Sequence, residues 1–206
     1  MKNGNTMGWV RRLLGTEKAG KKEDACRAPS DASSGAVAGP SDIYAPGTRI
    51  VYDPELIAQY KEDHRRLLGL FSAIDEAFWY GELEATTEML KRFLVGFQEH
   101  VLSEKIRLYI YLEHKLVHNP RGFEVVQGFR HEMDGIAKAV IEFMVRYEEI
   151  YLQSHAQLRA SFADELAHIG QLLAKRIRCE EEDLYRLYVP ADGVMPAISF
   201  DTVARS

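Results

Sequence analysis

Cysteine is almost absent from this 206-residue chain: Cys26 lies in a stretch rich in Ser, Ala and Gly, and Cys179 in a Glu-rich segment. Two isolated thiols build neither a disulfide framework nor a zinc spacing, so a reducing compartment, the cytoplasm, is expected. Long apolar runs are missing too. No segment approaches the ~20 residues that span a bilayer, and the N-terminus lacks the apolar core and small-residue cleavage site of a secretory signal. A soluble, unprocessed protein is expected. An excess of basic charge is also lacking, because 26 Lys and Arg against 31 Asp and Glu leave −5. Such a mixture has no field to hold a polyanion, and nucleic acid is not expected as a partner. The 15 glycines are scattered and form no phosphate-cradling loop or dinucleotide fingerprint, and no nucleophile constellation is visible. The protein is therefore not expected to be an enzyme.

Large apolar residues are scarce in the first 48 positions. The stretch KAGKKEDACRAPSDASSGAVAGPSD is small and polar, with Gly and Pro breaks, too little to offset the entropy of ordering. It reads as a disordered N-terminal arm, residues 1–48. Its MGWVRRLLG segment could form one short amphipathic turn for a membrane surface or a partner, but a helix so short is marginal in water.

From Asp53 the pattern becomes helical. Asp53 suits an N-cap and Pro54 the first helical position, and Ile57, Tyr60, His64, Leu67, Phe71 and Ile74 recur at spacings of three and four. Gly81 reads as the stop. A second helix carries Leu90, Phe93, Phe97, His100, Glu104, Leu108 and Tyr111 and ends in HNPRG. A third carries Val126, Phe129, Met133, Ile136, Val140, Phe143 and Tyr147. A fourth is read to start near Ser161, with Asp164 in a capping-box-like place, and to carry Leu166, Ile169, Leu173, Arg176, Glu180 and Leu184. Four such helices on short connections predict an all-α, antiparallel up-down-up-down four-helix bundle over residues 49–190. Residues 191–206, with Gly193 and Pro196, read as a tail.

Within these stripes four positions carry metal-competent polar groups where Leu or Val is usual: His64, His100, Glu104 and Glu180. A buried polar group is costly unless it binds a cation or another polar group. Any one inward His is more often a hydrogen-bonded core residue than a ligand; joint placement at the midpoints of three helices raises the case for a site. His131 lies about 200° around the third helix from Met133 and is expected to point outward. His114, His118, His155 and His168 are read as solvated, and the acidic run Glu180 to Asp183 as an exposed face apart from Glu180. Met133 and the Phe stripe are read as core packing.

The segments DHRRLLGLF, HVLSEKIRLY and RIRCEEEDLY resemble the hemerythrin-like (HHE cation-binding) domains, from about Tyr52 to Pro190. The resemblance implies iron, usually a pair of ions, held by a His on the first helix, a His and Glu one turn apart on the second, His on the third, and a His with an acidic residue on the fourth. The second and fourth segments also match each other: His100, Glu104, Leu108 and Tyr109 run parallel to Arg176, Glu180, Leu184 and Tyr185. Two departures stand out. Met133, with Ala137 one turn on, occupies the place of the third-helix His, and Arg176 that of the fourth-helix His.

Two readings are open. His64, His100, Glu104 and Glu180 suit a single ion, with iron expected and manganese or zinc as alternatives, in a sensor or regulatory bundle that is not a two-iron oxygen carrier. Alternatively Arg176 neutralises Glu104 and Glu180 with no metal at all. The chain would then be a regulatory interaction bundle, with a protein partner on the arm or a bundle face. RLYIYLEHKL and IGQLLAKRIRCEEEDLY are also similar to bacterial Rsd-type regulators, which bind the primary sigma factor of RNA polymerase.

Overall fold

The structure is a computed structural model that describes residues 49–148, 156–191 and 193. The arm (1–48), His155 and most of the tail lie outside the described residues. Among the described residues five α-helices build four rods: α1 (Leu56–Trp79), α2 (Leu83–Ser103), α3 (Ile110–Lys115), α4 (Pro120–Glu148) and α5 (Ala156–Cys179). A π-helical segment, Glu104–Tyr109, joins α2 to α3 in one rod, and a second, Glu180–Leu184, prolongs α5 into a final 3-10 turn, Tyr185–Leu187.

Contacts between rods fix the topology. Ascending α1 from His64 to Phe71 descends α2 from His100 to Phe93. Glu113 on α3 pairs with Arg130 on α4 and Lys105 with Asp134, Phe143 and Glu132 of α4 meet Phe162 and Arg176 of α5, and Phe78 and His64 of α1 meet Phe162 and Glu180. Every neighbouring pair is antiparallel, so the rods run up, down, up, down, as the sequence predicts.

The ends are set by local chemistry. Asp53 Oδ1 accepts the Glu55 N–H at 3.0 Å, while its other oxygen pairs with Arg107 at 2.6 Å, tying the start of α1 to the second rod. Gly81 takes φ +77°. There its N–H reaches Phe78 O and the next N–H, of Glu82, reaches Ala77 O, the paired bonds that close a helix through a left-handed residue. Asn119 Oδ1 accepts the Gly122 N–H at the start of α4, with Pro120 in the first position. A Cβ on Gly122 would lie 2.9 Å from Leu116.

Three expectations need correction. α1 begins at Leu56 with Glu55 as its N-cap, so Asp53 and Pro54 lie just ahead of the helix, Pro54 in the turn that leads into it. The fourth rod begins at Ala156, ahead of Ser161; Ala156 to Ala160 (AQLRA) holds good helix formers and no breaker. Ser161 is therefore inside the helix, bonded to the Tyr147 hydroxyl at 3.1 Å, and Asp164 is exposed. The second rod keeps its predicted core positions, but Tyr109, Leu112 and Leu116 are buried as well. The wider π turn adds a residue and rotates the helix beyond it, so two stripes meet the core.

The end of the bundle is held to the second rod. Val189 O accepts from the Tyr111 hydroxyl at 2.9 Å and from Lys115 Nζ at 3.1 Å, and Pro190 O also accepts from Lys115.

The core has two apolar clusters. One gathers Leu67, Phe71, Phe93, Phe97, Val140 and Phe162 with their neighbours, the other Leu56, Tyr60, Leu108, Tyr111, Val126 and Leu187 with theirs. Between them, on every rod but the third, lie His64, His100, Glu104, Arg176 and Glu180, all buried. Replacing Gly81 with Ala forces a Cβ into the left-handed region without filling a void, and is expected to lower stability by about 1 kcal/mol in urea unfolding.

Candidate metal centre

α1 delivers His64, α2 delivers His100, and each π segment opens on a carboxylate, Glu104 or Glu180. The four predicted ligands are brought together: one ligand atom from each lies within 4.8 Å of all the others. His64 Nε2 is 3.1 Å from His100 Nε2 and 3.4 Å from Glu180 Oε2, and His100 Nε2 is 3.8 Å from Glu104 Oε2. Bonds of ~2.1 Å to one ion would put its ligand atoms roughly 3 to 4.3 Å apart. To surround one ion, the set would have to close by tenths of an ångström.

The outer contacts differ between the two imidazoles. His64 Nδ1 is 2.9 Å from Glu181 Oε1, a bond that keeps the ring proton on Nδ1 and presents Nε2 to the cluster. His100 Nδ1 is buried with no hydrogen-bond partner, its nearest carboxylate, Asp63, being 3.7 Å away. Glu104 Oε1 accepts from the Tyr185 hydroxyl at 2.8 Å, whereas its Oε2, facing the cluster, is also without a partner.

Arg176 occupies the opposite side. Its Nε donates to Glu180 Oε1 at 2.7 Å, Nη2 to the Tyr109 hydroxyl at 2.7 Å and Nη1 to Glu132 Oε2 at 3.1 Å. The guanidinium lies over the Phe129 ring, 4.8 Å from its centroid. Arg176 thus meets Glu180 through one N–H, not the two-point grip on Glu104 and Glu180 that the sequence suggests. Glu104 is served by Tyr185 instead.

Charge depends on burial and these partners. Burial opposes a charge on His64, but hydrogen bonds and charge from Glu180 and Glu181 outweigh it and raise the pKa. His100 is pushed down to about 4 by burial and by His64. Burial, then repulsion from Glu180, pushes Glu104 up to about 8, and although burial also opposes the Glu180 charge, His64 and Arg176 hold that group below the usual carboxylate range. Burial opposes the Arg176 charge as well, yet Glu180 and Tyr109 hold its pKa up. Without metal at neutral pH, the ionised Glu180 therefore lies between Arg176 and His64, whose charged form it favours, and Glu104 keeps its proton.

Sequence reasoning missed Glu181, which is 31% exposed yet touches His64, and Glu132, an exposed residue that reaches Arg176. Tyr109 and Tyr185 carried a signal in the internal match. Each ends its repeat and reaches the other: Tyr109 bonds Arg176, and Tyr185 bonds Glu104. Met133 and Ala137 are buried, and His114, His118, His131 and His168 are exposed.

These features find their counterpart in one comparison: residues 55–188 match the family described as the hemerythrin HHE cation binding domain. The chain belongs to that family. No curated protein and no solved structure matches it. The family's cation-binding role agrees with the four-residue cluster, and the donor set fits one ion. Arg176, a cation that can only donate, and Met133 line the same small cavity as His64, His100 and Glu180.

Removing the guanidinium leaves Glu180 buried without its nearest cation, 2.7 Å away, so Arg176→Ala is expected to lose about 3 kcal/mol or more in denaturant unfolding. Glu104 links stability to pH. In the metal-free folded chain it holds its proton to about pH 8, against 4.5 as the ordinary value. Its contribution is full below pH 4.5 and is lost as pH rises towards 8. Glu104→Gln, which never ionises, is expected to be less destabilised than the wild type by the same rise, as read from urea midpoints across this range.

Proposed function

We propose that the protein binds a single divalent metal ion, iron in the first instance, through His64, His100, Glu104 and Glu180, and acts as a sensor or regulatory bundle. One observation carries this reading: two buried imidazoles direct Nε2 at each other across 3.1 Å, with Glu181 fixing the ring proton of His64 on the far side. Two Nε2 atoms so close need a proton or a cation between them. The partnerless Glu104 Oε2 beside them supports the cation. Bound there, such an ion would supply redox chemistry or an open coordination position for a small ligand.

The chain's own residues account for the rest. Glu181 orients His64, Tyr185 holds Glu104, and Arg176 keeps Glu180 ionised while occupying the place of a second ion. A two-ion oxygen carrier is not supported by that side of the layer, and no reaction is assigned to the centre. Manganese and zinc suit the same nitrogen and oxygen donors. Among the described residues no helix is long and apolar enough to cross a membrane; a cytoplasmic location belongs to this proposal.

A second reading is favoured by the Arg176–Glu180 bond, which neutralises one carboxylate without any metal. The chain would then be a metal-free interaction bundle, similar in use to the Rsd-type regulators, with a protein partner on residues 1–48 or on a bundle face. Elemental analysis separates the two. Protein loaded anaerobically with Fe(II) and desalted is expected to hold about one ion per chain, and His64→Ala to hold almost none. Metal absent from the loaded wild type would sink the sensor reading. Because binding displaces protons from His64 and Glu104, affinity is expected to rise with pH between about 6 and 8 in competition titrations.

A further inference from the structure

The outer nitrogens of the two imidazoles are served unequally. His64 Nδ1 meets Glu181 at 2.9 Å, whereas His100 Nδ1, also buried, has no hydrogen-bond partner. His100 turns Nε2 towards His64 at 3.1 Å, so an ion held there leaves the ring proton on Nδ1. A ligand imidazole keeps its angle to the ion through that second N–H, which normally finds a carboxylate or another acceptor. A buried donor left unbonded is also costly. His100 therefore lacks the acceptor that would orient it.

That acceptor is one small shift away. Asp63, next to His64 on α1, places Oδ2 at 3.7 Å from His100 Nδ1, and a charge-assisted N–H···O bond closes to about 2.8 Å. The carboxylate is held from the other side, where Oδ1 pairs with Arg66 Nη2 one turn along the same helix. The Arg66 side chain is 69% exposed and that of Asp63 26%, so Asp63 stands at the boundary between the buried layer and solvent. Its two oxygens face different partners, and tightening on one loosens the other. A solvated pair such as Asp63–Arg66 is weak and yields readily, whereas the buried donor has no water to turn to.

We propose that Asp63 is the positioning residue of His100 and is shared with Arg66: as an ion seats, the carboxylate turns from Arg66 to the His100 Nδ1 hydrogen. This rests on the single-ion reading above and adds a link from the enclosed centre to an exposed arginine. Occupancy of the layer releases Arg66 at the surface of α1. By reciprocity, whatever holds Asp63 on Arg66 weakens the ion. A sensor bundle needs such a connection, because the four ligands themselves are buried.

Anaerobic titration of the full chain with Fe(II) against a coloured chelator tests this, with Tm recorded for each variant. Both side chains reach solvent, so the variants are expected to fold. Asp63→Ala is expected to weaken the ion about tenfold or more. Asp63→Asn keeps an oxygen acceptor without the charge, and is expected to lose only about threefold. Arg66→Gln frees the carboxylate and is expected to tighten the ion about threefold, but to change nothing when combined with Asp63→Ala. A role through charge alone would instead make Asp63→Ala and Asp63→Asn alike and let Arg66→Gln act in both backgrounds. Either of those results, or wild-type affinity in Asp63→Ala, would overturn the proposal and leave the single-ion reading standing. A wild type that takes up no Fe(II) would overturn both.

Discussion

The bond between Arg176 and Glu180, two buried groups 2.7 Å apart, holds together a polar layer that divides the core. Without it, two glutamates would share a low-dielectric space beside one protonated imidazole, and the bundle would carry an uncompensated buried charge. With it, Glu180 stays ionised and Glu104 stays neutral. The two apolar clusters pack on either side. A single guanidinium serves four groups at once: Glu180, Glu132, Tyr109 and the face of Phe129. Lysine, a point charge with three donors, has no planar fork to divide in this way.

The two π segments explain how four helices converge on so small a volume. Each begins at a carboxylate and lies next to a tyrosine, Tyr109 at the end of one and Tyr185 just after the other. Widening the helix rotates the residues beyond the turn, so that the tyrosine hydroxyl joins the carboxylate of the opposite repeat or its arginine partner. The same rotation brings Glu181 to His64 although Glu180 already faces the layer. Inserted turns of this kind are unfavourable in a plain helix and are frequent at functional sites.

Much of this is legible in the residues. Three- and four-residue spacing places His64, His100, Glu104, Arg176 and Glu180 inward because the apolar stripes on both sides set the register, and all five are buried. Gly81 marks the end of α1 through left-handed geometry, whereas Asp53 bonds the Glu55 N–H just ahead of the helix start at Leu56. The hidden part comes from departures from an ideal 3.6-residue helix. Glu181 lies 100° from Glu180 on such a helix and reads as solvated; only the π turn lets both meet His64. The start of the fourth rod is masked because Ser161 and Asp164 imitate a cap inside a stretch that favours helix on both sides. The position of Arg176 is legible but its partners are not, since Glu132 is half exposed on another rod.

The central claim is that the layer holds one ion with Arg176 in place of a second. Anomalous diffraction at the iron edge, from crystals of the anaerobically loaded chain, tests it most directly. The account predicts a single peak enclosed by His64, His100, Glu104 and Glu180, with Arg176 still bonded to Glu180. Two peaks, or none in the layer, would contradict it.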